Sequence, residues 1–81
     1  MYTRKDFGKS LKQWVLEKQD VALIGHWSYS VYLEYIDVLD LDFVDVLLTL
    51  NHMEDGPEFE LSYKRLDEIA DDLIAGRKPD L

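Results

Sequence analysis

Asp67, Glu68, Asp71 and Asp72 have the spacing in this sequence that most invites a chemical reading, because steps of four on a helix set Asp67 beside Asp71 and Glu68 beside Asp72. Each like-charged pair costs about 0.2–0.5 kcal/mol in an isolated helix. Asp71 and Asp72 also lie toward the helix end where the dipole disfavours anions. For a single run of charge, a solvated face is the ordinary explanation. The alternative is a docking patch for lysines and arginines, and the wider distribution favours it. Acids recur at Asp37, Asp40, Asp42 and Asp45 and again at Glu54, Asp55, Glu58 and Glu60. Local helix physics does not require that excess.

A second candidate is aromatic. Trp27-Ser28-Tyr29-Ser30-Val31-Tyr32-Leu33-Glu34-Tyr35 holds too many rings for one helix face, since Trp27, Val31 and Tyr35 can turn inward only if Tyr29 turns elsewhere. Tyr29 is therefore either one more exposed ring or, together with Tyr32, an interface anchor, as tyrosines often are at binding hot spots.

Other chemistries lack their patterns. His26 and His52 have no partner at metal-ligand spacing and no His-Glu-x-x-His surrounds them, so they are expected to be structural or simply exposed. A calcium loop starting at Asp40 would need glycine sixth and glutamate twelfth, but finds Asp45 and Asn51. Ser10, Ser28, Ser30 and Ser62 lie in no Gly-x-Ser-x-Gly elbow, there is no cysteine nucleophile, and no glycine-rich phosphate loop is present. A carboxylate pair for acid–base work needs a pocket deep enough to shift its pKa values, which a small bundle rarely offers. No catalytic residue, cofactor or metal is expected.

The charge balance narrows the partners. The formal net charge is −8 in 81 residues, and it is unevenly spread. Residues 1–19 carry five bases against two acids, residues 20–81 carry fifteen acids against four bases, and no lysine or arginine lies between Gln19 and Tyr63. Such a surface repels phosphate backbones and anionic lipid, so direct nucleic-acid or membrane binding is not expected, whereas a basic protein is attracted. The charged opening Met1-Tyr2-Thr3-Arg4-Lys5-Asp6 has no apolar run behind it and does not read as a secretory signal. The apolar stretches are far too short to span a membrane. A soluble, cytoplasmic protein is expected.

The positioning elements read as helices. Thr3, with Asp6 three residues on, starts a first helix along Phe7, Leu11, Trp14 and Val15, with Lys9, Lys12 and Lys18 on its more exposed faces. Asp20 caps a second, in which Ile24, Trp27, Val31 and Tyr35 form the stripe and Gly25 marks a weakness or a close-packing point. Asp37 to Asp45 is ambiguous, because Leu39, Leu41 and Phe43 alternate with Asp40 and Asp42 as in a strand. Aspartate is a poor strand former, so a helix capped by Asp40 or Asp42 and running through Met53 is preferred over a loop or short strand. Glu54-Asp55-Gly56-Pro57 breaks the chain, and Glu58–Leu61 is a short extended connector able to bury Phe59 and Leu61. Ser62 caps the last helix, whose apolar face is Leu66, Ile69, Ala70, Leu73 and Ile74 and whose end is marked by Gly76 and Pro79. The expected fold is all-α: a single domain, residues 1–81, forming a compact bundle of about four helices. Without disulfides, apolar packing must hold it together.

The stretch Met53-Glu54-Asp55-Gly56-Pro57-Glu58-Phe59-Glu60-Leu61-Ser62, running into Leu66-Asp67-Glu68-Ile69-Ala70-Asp71-Asp72-Leu73-Ile74, resembles the closing segment of short bacterial proteins, some of them similar to the immunity partners of secreted toxins. The resemblance covers under half of the chain and carries no functional residue across. It implies a bacterial cytosolic setting and a role in binding a toxin. Together with the charge, it gives the expected function: a small acidic protein-binding module, an immunity-protein or antitoxin type of inhibitor of a basic partner such as a nuclease. The expected contacts are Asp67, Glu68, Asp71 and Asp72, then Asp40, Asp42, Asp45 and Tyr29. The alternative is a homodimeric structural or regulatory module that buries Trp27, Tyr29 and Tyr32 against a second copy. A small enzyme or metal protein ranks last.

Overall fold

The computed structural model describes residues 2–80, and among these the fold is all-α. Four helices form, each begun by a side chain that occupies a backbone N–H left over at the helix start. The first, α1 (Arg4–Leu16), opens with a full capping box: Thr3 Oγ1 accepts from the Asp6 N–H at 3.2 Å and the Asp6 carboxylate accepts from the Thr3 N–H at 3.0 Å. Asp20 accepts from the Ala22 N–H at the head of α2 (Val21–Tyr35). Asp40 accepts from the Phe43 N–H at 2.8 Å to start α3 (Leu41–Asn51), so the alternating segment around Asp40 is helical and no strand forms among the described residues. Ser62 accepts from the Arg65 N–H at the head of α4 (Tyr63–Ile74).

The helices pair by position in the chain. One unit comprises residues 2–19 and Leu61–Asp80, in which α1 packs on α4; the other is Asp20–Glu60, in which α2 packs on α3 and on the turn that follows it. In the α1–α4 unit, Phe7, Leu11 and Val15 of α1 and Leu66, Ile69, Ala70 and Leu73 of α4 are buried. The α2–α3 unit buries Ile24 and Val31 of α2, Phe43, Val46, Leu47 and Leu50 of α3, and Met53. Each such large side chain is worth about 1.5–3 kcal/mol relative to exposure, which is the main favourable term in a chain without cross-links.

Each pair closes over a glycine. A Cβ added at Gly8 would lie 2.9 Å from the Ala70 carbonyl oxygen and 3.0 Å from Leu73 Cβ, and one at Gly25 would lie 2.8 Å from the Leu50 carbonyl oxygen. Helix backbones can approach this closely only where no side chain intervenes. The contact at Gly25 also explains which face of α2 turns inward. Gly25 and Ser28 are buried while Trp27 is half-buried, so small residues rather than the indole line the tight approach. The buried Ser28 hydroxyl is satisfied by donating to the Ile24 carbonyl at 2.9 Å.

Two details differ from the pattern of the sequence. The third helix ends at Asn51 and tightens into a 3-10 turn, His52–Glu54, instead of continuing as α-helix through Met53. The connector is extended only from Glu60, because Pro57 opens a second 3-10 turn, Pro57–Phe59. That turn leaves Phe59 47% exposed, its ring 5.7 Å from the His52 ring, rather than buried.

Both helices of the first unit end in the same way. The Gly76 N–H bonds to the Leu73 carbonyl and the Arg77 N–H to the Asp72 carbonyl, with Gly76 at φ 80°, which is a Schellman close of α4. At the end of α1 the equivalent bonds run from Lys18 to Val15 and from Gln19 to Trp14, and Lys18 takes the left-handed position at φ 54°.

Alanine at Gly8 or Gly25 would improve helix propensity by up to about 1 kcal/mol, yet its methyl would meet backbone oxygen. Both Gly8→Ala and Gly25→Ala are therefore expected to lower stability, by roughly 1–3 kcal/mol as overpacking does. Chemical denaturation of the two variants checks this, and a stabilised variant would show that the helices can separate without loss.

Candidate protein-docking surface

The acids of α4 are met within their own unit. The Lys12 ammonium, projecting from α1, hydrogen-bonds the Asp71 carboxylate and lies 3.3 Å from that of Asp67, so one cation answers both members of the like-charged pair. Glu68 is 3.4 Å from the Arg65 guanidinium. Asp72 accepts from Arg77 Nε at 3.0 Å, with Arg77 Nη2 also 3.0 Å from the same oxygen. The strain inferred from spacing along α4 is thus relieved from α1 at Asp67 and Asp71, and locally by Arg65 and Arg77 at Glu68 and Asp72. An external cation is not needed to explain why Asp67, Glu68, Asp71 and Asp72 are there. Lys12 had the look of an ordinary solvent-facing lysine, since its partners lie more than fifty residues away in the chain.

The α2–α3 unit has no lysine or arginine of its own. Asp20–Glu60 contains ten acids and no lysine or arginine, whereas the rest of the chain holds seven acids and all nine bases. The formal charges are therefore −10 and +2. Within the acidic unit the only positive candidates are the two histidines. Each sits beside a carboxylate: His26 Nδ1 is 3.2 Å from Glu54 Oε1, and His52 Nδ1 is 3.0 Å from Asp55 Oδ2. Asn51 adds to the first contact, because the orientation of its amide that pairs donors with acceptors places its nitrogen 2.6 Å from Glu54 Oε2 and 3.3 Å from the Gly25 carbonyl.

Of the predicted contact residues, Asp40, Asp42, Asp45 and Tyr29 all belong to this unit and all are exposed. Asp40 is occupied in capping α3, Asp45 lies on the side of α3 opposite the buried Phe43, Val46, Leu47 and Leu50, and Asp42, four residues before Val46, borders that buried face. Tyr29 is 38% exposed, and its ring stacks on that of Tyr32 at 5.8 Å between centroids. The same unit carries apolar surface that the sequence reading passed over. Leu23, Leu33, Ile36, Val38, Leu41 and Phe59 are all exposed, Leu41 by 82%; outside this unit, Leu16 alone among the described residues is a comparably exposed large apolar side chain. The available signal was that α2 is apolar on its outer face as well as its inner one, since a helix apolar all round ordinarily has both faces covered. An acidic surface studded with exposed leucine, isoleucine and tyrosine suits a protein partner that is both cationic and apolar.

The α1–α4 unit offers a different surface. A shallow groove of about 340 Å³ is lined by Val15, Leu16, Lys18, Tyr63, Lys64 and Asp67. The Lys18 ammonium lies 4.8 Å from the centre of the Tyr63 ring, and the Tyr63 hydroxyl donates to the Gln19 carbonyl at 2.8 Å. With two lysines on its wall, it does not fit a cationic partner. Among the described residues no three histidine, aspartate or glutamate side chains converge as metal ligands, and no helix is long and apolar enough to cross a membrane. Comparisons with protein-family models, with curated proteins and with solved structures found no match to this chain.

Two groups of the α1–α4 unit have their protonation tied to these contacts. The hydrogen bond to Asp71, reinforced by Asp67, raises the Lys12 pKa above the ordinary 10.5. The backbone N–H and hydroxyl of Thr3 hold Asp6 below the ordinary 3.8. A raised folded-state lysine contributes stability that is complete below 10.5 and is lost as pH climbs through the folded-state value; the lowered Asp6 contributes above 3.8 and is lost as pH falls through its own folded-state value. Lys12→Met is accordingly expected to melt below the parent protein at pH 8, with the gap closing once the pH passes 10.5. Thermal melts across that range check it; a gap that stays constant into alkali would mean that the lysine stem, not its charge, is what matters.

Proposed function

We propose that this chain is a small protein-binding module whose α2–α3 unit docks on a basic protein surface. In this reading it acts in the cytoplasm as an inhibitor of the immunity-protein or antitoxin type, neutralising a cationic enzyme such as a nuclease by covering it rather than by catalysis. The observation that carries the reading is the coincidence, within Asp20–Glu60, of ten acids and no lysine or arginine with seven exposed large apolar side chains. Acids alone would serve solubility, and scattered apolar groups alone would be ordinary. Together they supply both parts of a specific encounter: a field that speeds association and anchors that slow dissociation.

Asp42 and Asp45, with Asp40 at the helix start, set the local field and govern the rate of encounter. Tyr29, braced by Tyr32, is an anchor whose two side-chain torsions are already restricted by stacking, so little further entropy is lost when it is buried. The α4 acids have a lesser part, because each already faces a base of its own chain. Homodimerisation is the weaker reading, since it would bring together two units of net charge −10.

The test is capture from the host organism at low and high salt, followed by identification of the captured protein. A basic partner that is retained at low salt and released at high salt is expected. Asp42→Asn combined with Asp45→Asn should slow association by about tenfold at low salt, and Tyr29→Ala should weaken binding by about 2 kcal/mol if it is a hot spot. Asp71→Asn with Asp72→Asn should change little. Capture that is indifferent to salt, or sensitive only to the α4 pair, would overturn the proposal.

A further inference from the structure

The exposed positions of α2 are not scattered. Half-buried Ala22, exposed His26, Tyr29 and Leu33, and exposed Ile36 at the helix C-cap follow one another at steps of four, three, four and three, the spacing that keeps a seam of side chains facing a neighbouring helix. They lie on the side of α2 away from the buried Ile24 and Val31, bordered by the buried Gly25, and Tyr29, Leu33 and Ile36 are 38%, 55% and 45% exposed. The helix therefore has one face filled by its own unit and a second, helix-spaced face that its own chain leaves open to solvent.

We propose that this outer seam of α2 seats one basic amphipathic helix of the partner, laid along α2 in coiled-coil register; this rests on the docking reading above and names the element the partner supplies. Charge chooses the occupant. Glu34 and Asp37 lie along one side of the seam, and the whole of Asp20–Glu60 has no lysine or arginine with which to meet them. A helix with leucine-like residues at its own seam positions and lysine or arginine beside them pairs with both features at once. A second copy of this chain would set the same acidic surface against itself and offers no base from this unit to relieve the repulsion. His26, held by Glu54 at 3.2 Å, is the polar position in an otherwise apolar seam, and such a position fixes register between paired helices. The 15 residues of α2 span about 22 Å at 1.5 Å per residue, so the partner helix contributes about two heptads.

The test uses designed peptides of about two heptads: one with leucine at the seam and lysine on both flanks, one with glutamate flanks, and one with the lysine peptide's composition in scrambled order. Binding is followed by calorimetry and the oligomeric state by sedimentation. The lysine-flanked seam peptide is expected to bind, the glutamate-flanked one not to, and the scrambled one to bind at least tenfold more weakly, on the order of one lost anchor contact. Leu33→Asp should reduce affinity roughly thirtyfold, while Leu16→Asp on α1 leaves it unchanged; both sites are exposed, and circular dichroism melts confirm that each variant is folded. Equal binding of the scrambled peptide, or indifference to Leu33→Asp, overturns the seam while leaving the salt-dependent docking of a basic protein standing. Failure of every peptide to bind also overturns the seam, and so does self-association abolished by Leu33→Asp, which would assign the face to a second copy.

Discussion

The close approach of α1 to α4 at Gly8 is the constraint on which the first unit is built. These helices come from opposite parts of the sequence, and they meet with backbone oxygen where a Cβ would have to be. Once they are held at that distance, Lys12 reaches Asp67 and Asp71, and the apolar stripes of both helices are buried. The intervening chain must then fold as a closed excursion that leaves at Gln19 and returns at Leu61. It does so with its own glycine contact, Gly25 against the last turn of α3.

This division of the chain is also a division of charge. Every lysine and arginine lies in the α1–α4 unit, where Lys12, Arg65 and Arg77 meet nearby acids in exposed pairs of small individual value, about 0–1 kcal/mol for such contacts in general. The excursion holds only acids and two histidines, so its self-repulsion is not offset from within. This repulsion, together with the exposed leucines, isoleucine and phenylalanine of the same unit, is what the proposed docking on a cationic, partly apolar surface rests on.

What could be read in the sequence was what depends on neighbours along the chain. Thr3 with Asp6, Asp20, Asp40 and Ser62 all begin helices, because an N-cap needs only a short polar side chain and the two or three residues after it. Gly25 was legible as a close-packing point for a similar reason, since an interior glycine is costly unless something approaches it. What was not legible depended on pairing. Lys12 could not be matched to Asp67 and Asp71 before α1 was known to lie on α4. The inward face of α2 was expected along Ile24, Trp27, Val31 and Tyr35; Ile24 and Val31 are buried, but the approach to Leu50 draws in Gly25 and Ser28 and leaves Trp27 and Tyr35 half-buried. Phe59 was expected inside and is held outside by a turn that Pro57 initiates. The acidic candidates on α3 were visible as residues; that they belong with an apolar surface was not, because exposure is a property of the fold.

The junction of Lys18 with Tyr63 has a consequence for motion. Helix termini normally fray one at a time, each end exchanging its last amides with solvent independently of the other. Here the Tyr63 hydroxyl, on the first residue of α4, takes the Gln19 carbonyl just beyond α1, while the Lys18 ammonium lies against the same ring. To unwind the last turn of α1 is therefore also to loosen the first turn of α4, and the two ends open as one cooperative step.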